Sequence, residues 1–324
     1  MSLQNFSYHD TIGIASFLGR GFMNPIDLRF DSTGRLFVLS RSNASNKNVR
    51  VSAQTLDSEF LYEFANWGTD PGQTTMPTAL AFDSRDRLYV SDEHMNNVSV
   101  FDREGNFIER WGEFGSEPGQ FNRPSGLAVD SDDNVLVMDH LNSRIQKMTP
   151  DGRYISSFGS DGGGPGEFNF AWGISVDSAG DIWVADWRND RIQRFTADGE
   201  FVSMFGSSGT ADGRFDRPSG VHVDHRGQVY VADWRNDRVQ VFENSGAHTE
   251  TLFGDATLSK WCQEFIAVNP EQAGWRENAG LFEEEKRFWR PSAIETNSEG
   301  LVLIADACRH RVQIYSKINE PALA

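Results

Sequence analysis

Three side chains that could support acid–base chemistry stand at the same position of a recurring pattern. Arg29, His222 and Glu295 each follow the first residue of a short motif by four positions. The three motifs begin at Pro25, Pro218 and Pro291. A glutamate can orient a histidine as a general base while an arginine holds an anion. The same groups also suit an internal polar plug or a water-bound network, because buried charges must be paired.

A second set of polar and aromatic side chains follows another part of the same pattern, a short apolar run that ends in a carboxylate. Its members are Glu93, His94, His140, Trp187, Arg188, Trp234, Arg235, Cys308, Arg309 and His310. Tryptophan beside arginine provides flat contacts with cationic character. The predicted ligand-binding residues are Arg29, Trp172, Trp187, Arg188, Trp234, Arg235, His94, His140, Cys308 and His310.

Two alternatives for this second set stay open. Trp187 and Trp234 could pack between neighbouring structural units instead of facing a ligand. Cys308 and His310 could form a nucleophile–base pair, although proximity in sequence does not make two side chains face each other.

Six copies of one motif must position all of these residues. Three copies read RPSGLAVDSDDNVLVMDHLNSRIQKM, FAWGISVDSAGDIWVADWRNDRIQRF and RPSGVHVDHRGQVYVADWRNDRVQVF. The remaining copies begin at Asn24, Met76 and Arg290, and the anchors are Pro25, Pro77, Pro124, Ala171, Pro218 and Pro291. Successive anchors are 52, 47, 47, 47 and 73 residues apart, so the repeat covers nearly the whole chain.

Each copy predicts four short strands, such as Ser125–Val129, Val135–Met138 and, in the next copy, Phe201–Phe205. A four-stranded antiparallel unit of this length is a propeller blade. The predicted fold is therefore all-β: one six-bladed β-propeller domain spanning residues 1–324. The last copy stops after its third strand, at Tyr315, and Ile12–Gly19 (IGIASFLG) resembles a fourth strand such as YISSFG. We expect this N-terminal strand to close the ring.

The motif P-x-G-[LIV]-x-V-D-x-x-G-x-[LIV]-[FYW]-V-[AS]-D-x-x-N-x-R-[IV]-Q resembles the NHL repeat. The resemblance implies a propeller, and it is compatible with peptide-amide lyases, RNA-binding regulators, kinase sensors and protein-interaction modules. Propellers that resemble gluconolactonases or peptide-amide lyases carry carboxylate, Asn or His ligands at the channel entrance. The corresponding ring here is Ile26, Thr78, Ser125, Trp172, Ser219 and Ser292, so no metal and no cofactor is predicted.

A carboxylate ends the second strand of five copies, and an arginine follows five residues later in four of them. The four pairs are Asp139/Arg144, Asp186/Arg191, Asp233/Arg238 and Asp306/Arg311. Asp92 is followed by Asn97 instead, and Ser40 stands at the carboxylate position of the first copy. We interpret the pairs as bidentate contacts that fix the turn between strands two and three, because a catalytic acid would occur once.

Extra length precedes the last anchor, in residues 255–287. Trp261, Phe265 and Val268 have helical spacing, and Asn269-Pro270-Glu271-Gln272 is typical of a helix start. We expect a partly helical insertion that lies on one end of the propeller and covers the channel mouth as a lid.

Composition limits the partners. The net charge of −17 disfavours nucleic acid, and no run of about 18 apolar residues exists that would insert in a membrane. The N-terminus lacks a secretory pattern, which predicts a cytoplasmic protein, and the pairing of Cys262 with Cys308 stays open.

The favoured function is binding of a small or peptide-like, acidic ligand at a lidded channel mouth. The alternatives are a metal-independent lyase or hydrolase that uses His222 and Glu295, and a protein-interaction scaffold.

Overall fold

The computed structural model describes residues 5–41 and 47–318. Six four-stranded sheets follow one another along the chain, one for each repeat. The N-terminal strand is β1 (Phe6–Ile12). Blade one contains β2 (Pro25–Phe30), β3 (Leu36–Arg41), β4 (Val49–Gln54) and β5 (Phe60–Phe64). Blade two contains β6 (Pro77–Phe82), β7 (Leu88–Asp92), β8 (Asn97–Phe101) and β9 (Phe107–Trp111). Blade three contains β10 (Pro124–Val129), β11 (Val135–Asp139), β12 (Arg144–Met148) and β13 (Tyr154–Phe158).

A short parallel pair, β14 (Ser160–Asp161) and β15 (Glu167–Phe168), leads into blade four. Blade four contains β16 (Ile174–Val176), β17 (Ile182–Asp186), β18 (Arg191–Phe195) and β19 (Phe201–Phe205). Blade five contains β20 (Pro218–Val223), β21 (Val229–Asp233), β22 (Arg238–Phe242) and β23 (His248–Leu252). Three helices follow: α1 (Lys260–Val268), α2 (Pro270–Ala279) and α3 (Phe282–Lys286). Blade six contains β24 (Pro291–Thr296), β25 (Leu301–Asp306) and β26 (Arg311–Lys317). The predicted six-bladed, four-stranded propeller is confirmed.

The N-terminal strand closes the ring, as predicted. β1 pairs antiparallel with β26, from Phe6 opposite Lys317 to Ile12 opposite Val312. The predicted bounds Ile12–Gly19 are wrong, because the strand ends where they begin. Ile12 occupies the position that Phe158 holds in blade three. The residue that corresponds to Gly159 is therefore Gly13 and not Gly19.

A close glycine–phenylalanine approach explains that register. A Cβ on Gly13 would lie 2.8 Å from the ring of Phe22, and one on Gly159 would lie 2.4 Å from the ring of Phe168. In both blades the glycine lets the chain pass directly against an aromatic ring nine residues later. This contact marks the end of the fourth strand in both blades, and similarity between short segments does not reveal it.

Apolar side chains fill the space between neighbouring blades. The junction that joins the two ends of the chain packs Leu28 and Val38 of blade one against Leu303 and Ile314 of blade six, all buried. Because this junction is as apolar as the other clusters, closing the ring buries apolar faces of blades one and six that would otherwise be exposed.

The four aspartate–arginine pairs hold the turns between second and third strands, as predicted, but they are not bidentate. In each pair Nε lies 2.8 Å from one carboxylate oxygen. The rest of the guanidinium points elsewhere: Nη2 of Arg144, for example, donates to the carbonyls of Glu117 and Gln120 in the preceding loop. Each arginine therefore ties its own turn to the connection between blades.

The insertion is helical, and Pro270 occupies the first turn of α2, as the sequence indicates. Trp261 is buried against Phe22, and its indole N–H donates to the carbonyl of Ser58 at 2.7 Å. Phe265 and Val268 are exposed. Helix α1 thus packs where blades six and one meet.

Within residues 5–41 and 47–318, none of the helices has the length and apolar character needed to cross a membrane.

Candidate functional site

The first strands of the blades surround a central channel with two different ends. At the end where these strands begin, a cavity of about 360 Å³ opens, which we call the upper mouth. Its lining is Asn24, Ile26, Arg41, Trp172, Trp187, Ser219, Trp234, Arg290, Ser292, Ala307 and Cys308. Four predicted ligand-binding residues therefore meet at one cavity, and they come from blades four, five and six.

The predicted lid over the upper mouth is wrong, because the lining of the cavity contains no residue of 255–287. Trp261 anchors the insertion outside the ring instead.

Two tryptophans of the upper mouth are each overlaid by an arginine. The ring centroids of Trp187 and Trp234 are 6.3 Å apart and the rings are tilted by 54°. The guanidinium carbon of Arg217 lies 4.5 Å from the Trp187 ring and that of Arg290 lies 4.3 Å from the Trp234 ring. Arg290 is exposed, and in the described part of the chain its guanidinium forms no ion pair. It is thus a cation open to a ligand at the edge of an aromatic cavity.

His140 supports the upper mouth from behind. Its ring is buried, Nδ1 lies 2.9 Å from the carbonyl oxygen of Ala171, and its edge contacts Phe170 and Trp172 at centroid distances of 4.9 and 5.2 Å. Burial lowers the pKa of His140, so the imidazole is neutral at neutral pH. Its role here is to hold Trp172 in place.

Three other predicted ligand-binding residues lie away from the cavity lining. The Arg188 guanidinium covers the Phe170 ring at 3.7 Å, and Arg235 faces Asp216 at 3.8 Å on the surface. His94 is exposed in a turn whose backbone is held by Asp92.

The geometry around Cys308 and His310 does not provide an activated nucleophile. Nδ1 of His310 accepts a hydrogen bond from the backbone N–H of Asn24 at 3.1 Å, which leaves the proton of the neutral ring on Nε2. Burial lowers the pKa of His310 and raises the pKa of the Cys308 thiol. The thiol therefore stays protonated at neutral pH and is a weak nucleophile.

A ring of close backbone contacts separates the upper mouth from the other end of the channel. A Cβ on Gly126, Gly173 or Gly220 would lie 2.4 to 2.7 Å from a carbonyl oxygen of the next blade. Only about 30 Å³ of cavity remains at this level, roughly the space of one or two water molecules. A ligand of the upper mouth therefore does not reach the far end.

The lower end of the channel holds the three residues predicted from their equal spacing, and they are neighbours. Nη1 of Arg29 lies 3.5 Å from Oε2 of Glu295, and Nε2 of His222 lies 4.0 Å from Oε1 of the same carboxylate. Two partners were missed at the sequence level. Oδ1 of Asp27 lies 2.8 Å from Arg29 Nη1, and Oγ1 of Thr296 lies 2.8 Å from His222 Nε2.

The electrostatics of this lower cluster resemble those of an internal ion network. Burial lowers the pKa of His222 to about 3, and burial raises the pKa values of Glu295 and Asp27. A base of such low pKa is poorly matched to proton transfer near neutral pH. Arg29 already faces two carboxylates, so it is not positioned to bind an additional anion.

Comparisons with known families agree with the architecture. The NHL repeat model matches residues 168–195, 215–242 and 288–315, and a model described as a 6-bladed beta-propeller matches residues 78–148. The chain is an NHL-repeat six-bladed β-propeller. A search of the curated proteins found no match to this NHL propeller.

Solved structures share its fold at low sequence identity. A streptogramin B lyase is 13% identical with a TM-score of 0.59, over 97% of this chain and 98% of that one. A catalytically inactive virginiamycin B lyase from Staphylococcus aureus, crystallised with quinupristin, is 13% identical with a TM-score of 0.60, over 97% and 100%. A Bacteroides thetaiotaomicron protein of unknown function is 16% identical with a TM-score of 0.64, over 97% and 76%. At these identities the likeness concerns the fold of the NHL propeller.

Arg290 is the main residue of the upper mouth that the spacing argument missed. It precedes the anchor proline, as Arg123 and Arg217 do, and recurrence at one repeat position favours a structural role. All three adopt a left-handed backbone conformation, with φ of 55° to 58°. The available signal was the tryptophan that follows the second strand of the preceding blade, because Arg217 and Arg290 lie on the rings of Trp187 and Trp234.

Proposed function

We propose that this NHL propeller binds a small or peptide-like ligand that combines an acidic group with a flat apolar part, and that the upper mouth is its binding site. The acidic group binds Arg290, and the apolar part packs against Trp172, Trp187 and Trp234. One observation carries the proposal: three tryptophans and an arginine without an ion pair in the described chain surround a single cavity.

The size and chemistry of the cavity support this assignment. Its volume of about 360 Å³ falls within the range of small-molecule sites, which are mostly apolar with a few polar groups that fix orientation. Ser219 and Ser292 supply such polar groups, although their hydroxyls also donate to neighbouring carbonyls, at 3.2 Å for Ser219 to Ser292 and 3.1 Å for Ser292 to Pro25. Cationic Arg290 beside Trp234 favours a ligand that is anionic at one end.

The experiment is a thermal-shift screen with aromatic carboxylic acids and acetylated acidic dipeptides, for which indole-3-acetate and acetyl-Phe-Glu are the first probes. A ligand at 100 times its Kd stabilises the folded state by about 2.7 kcal/mol, which a melting curve resolves. Arg290→Gln should remove the shift. Arg123→Gln is the matched control, because Arg123 occupies the same repeat position outside the upper mouth. Absence of any shift across the screen would contradict the proposal.

A second candidate function is metal-independent acid–base catalysis by His222 and Glu295 at the lower end. The observation that favours it is the 4.0 Å approach of the imidazole to the carboxylate. The lowered pKa of His222 and the ion pair of Glu295 with Arg29 argue against it. Turnover of a lactone or ester substrate that is lost in His222→Ala would support this candidate, and turnover that survives the substitution would remove it.

A further inference from the structure

A second cavity borders the upper mouth, and it exists because blade six departs from the repeat. We call it the side groove. It measures about 760 Å³, and its walls include Phe253, Glu284, Arg287, Trp289 and Arg309. Glu284 belongs to α3, so the insertion supplies part of one wall. The other blades lack this wall, since their connections span 12 positions, as from Gly159 to Ala171, against 37 from Gly254 to Pro291.

The repeat does not require the tryptophan of the side groove. Trp289 stands where the repeats before it have Asn122, Asn169 and Asp216. The repeat requires only the backbone N–H at this position, which donates to the aspartate that ends the second strand. In blade six the N–H of Trp289 donates to Oδ1 of Asp306 at 2.8 Å. The indole itself is 48% exposed, beside Phe253, which is also 48% exposed. An exposed aromatic pair in place of a polar residue indicates a contact surface.

The arginine of the side groove is a second departure. Arg309 replaces Asn142, Asn189 and Asn236 of the other blades, whose amides each bond the local aspartate and a loop carbonyl. Arg309 instead donates from Nη2 to the carbonyl of Glu284, and its guanidinium lies 5.5 Å from the Trp289 ring. Its Nε is buried and has no hydrogen-bond partner. An unsatisfied donor here, where asparagine is bonded in the other blades, shows that Arg309 is not placed for the hydrogen bonding of the repeat.

The side groove and the upper mouth are parts of one surface. Three chain segments contribute consecutive or nearly consecutive residues to both cavities. The pairs, with the mouth residue first, are Trp234 and Asn236, Arg290 and Trp289, and Cys308 and Arg309. The stacked pair of Arg290 and Trp234 forms the ridge between them. A ligand that binds Arg290 in the mouth can therefore extend over this ridge into the groove.

We infer that the ligand is an extended peptide whose acidic residue binds Arg290 and whose aromatic or other apolar residue contacts Trp289 and Phe253 in the side groove. This inference rests on the function proposed above for the upper mouth. The surface has four guanidinium groups, those of Arg41, Arg287, Arg290 and Arg309, against the carboxylates of Asp237 and Glu284. Arg41 forms an ion pair with Glu93. One carboxylate oxygen of Asp237 is already bonded to the backbone of Arg290. A local cationic excess on a chain of net charge −17 matches an acidic peptide, and carbonyl groups of a peptide are acceptors for the arginine donors.

The test uses two libraries of acetylated, amidated hexapeptides, with glutamate fixed at the first or at the last position and the other positions randomised without cysteine. The full chain is immobilised, and captured peptides are sequenced by mass spectrometry. The wild type should enrich peptides that carry an aromatic residue at one preferred distance from the glutamate. The double variant Trp289→Asn with Arg309→Asn should lose this preference and bind the best peptide at least tenfold more weakly, while its affinity for indole-3-acetate stays unchanged.

The double variant introduces residues that other blades carry at the same positions, so it should keep the wild-type melting temperature. Arg290→Gln should weaken both the peptide and indole-3-acetate. Enrichment that is identical in the wild type and the double variant, or absent from the wild type, would overturn the inference while leaving binding of indole-3-acetate to the mouth intact. Failure of both probes to bind would overturn the proposed function as well.

Discussion

The guanidinium carbon of Arg290 lies 4.3 Å from the centre of the Trp234 ring, so the cation at the upper mouth is oriented by an aromatic surface from the adjacent blade. This arrangement keeps the donors of Arg290 directed toward the cavity while the ring shields one face from water. The arginine and the tryptophan come from different repeats, and neither would define a site without the other.

Trp234→Leu should weaken binding of indole-3-acetate by up to about fivefold, because the ligand must then order an Arg290 side chain that the cation–π contact, worth about 0.5 to 1 kcal/mol at an exposed site, otherwise holds in place. Loss of ring contact with the ligand adds to this. Isothermal titration calorimetry measures the change. Trp275→Leu is the control, because Trp275 is 65% exposed on α2 and lies outside the mouth lining. Equal affinity of the two variants would show that Trp234 does not orient the cation.

Arg238→Ala should destabilise the propeller strongly. Its side chain is 5% exposed, and Nε lies 2.8 Å from a carboxylate oxygen of Asp233 that is fully buried. Removing one partner of a buried pair leaves an uncompensated charge and costs about 3 to 5 kcal/mol. Urea unfolding measures the loss. The control, Arg153→Ala, should cost less than about 0.5 kcal/mol, because Arg153 is 77% exposed beside Asp151.

The lower cluster should make stability depend on pH. The folded pKa of His222 is about 3, below its ordinary value of 6.5, so the unfolded chain binds more protons between these values. The contribution of the neutral ring is present above pH 6.5 and is lost as the pH falls toward 3. The charged groups around the ring are Arg29, Asp224, Asp27, Lys317 and Glu295.

The measurement is the free energy of unfolding at pH 7 and at pH 5. At about 1.4 kcal/mol per pH unit, titration of His222 alone removes about 2 kcal/mol between these conditions. His222→Asn should reduce the difference by that amount, because asparagine does not titrate. The raised pKa values of Asp27 and Glu295 act in the opposite direction but are present in both proteins. An unchanged pH dependence in the variant would mean that the pKa of His222 is the same in the folded and the unfolded chain, which contradicts the prediction.

Trp261→Ala should release the insertion without unfolding the ring. Trp261 is 3% exposed and bonds Ser58, whereas the helices that follow it carry no buried side chain. Amide hydrogen exchange should accelerate in residues 256–287 and around Ser58, with little change in the central strands. Phe265→Ala, on the exposed face of the same helix, should leave exchange unaltered. Faster amide exchange throughout the propeller would instead show that Trp261 stabilises the whole fold.

The repeat predicts much of the architecture, because residues at the same position of successive repeats become neighbours in a closed ring. That reasoning alone placed Arg29, His222 and Glu295 together, although 266 residues separate Arg29 from Glu295 in the chain. Asp27 was not predicted, because it lies two residues after the anchor proline, whereas Arg29, His222 and Glu295 lie four residues after their anchors. A carboxylate stands there at the position that Gly126 occupies in blade three, and only the three-dimensional packing shows that it faces Arg29.

The errors arose where the repeat carries no information. The end of β1 depended on the contact of Gly13 with Phe22, which short-segment similarity does not record. The position of the insertion depended on Trp261 and Ser58, which are 203 residues apart and belong to no repeated pair. Helical spacing indicates that a helix forms, but it does not indicate which side of the ring the helix covers.

The pairing of β1 with β26 imposes an order on biosynthesis. Phe6–Ile12 leaves the ribosome well before its partner Arg311–Lys317, because Arg311 follows Phe6 by 305 residues in the chain. At about 5 to 20 residues per second, the early strand waits for roughly a quarter of a minute to a minute with Phe6 and Ile12 lacking the neighbours that bury them at completion. During that interval β1 has no strand to pair with, and binding by chaperones or by a second nascent chain competes with closure of the ring.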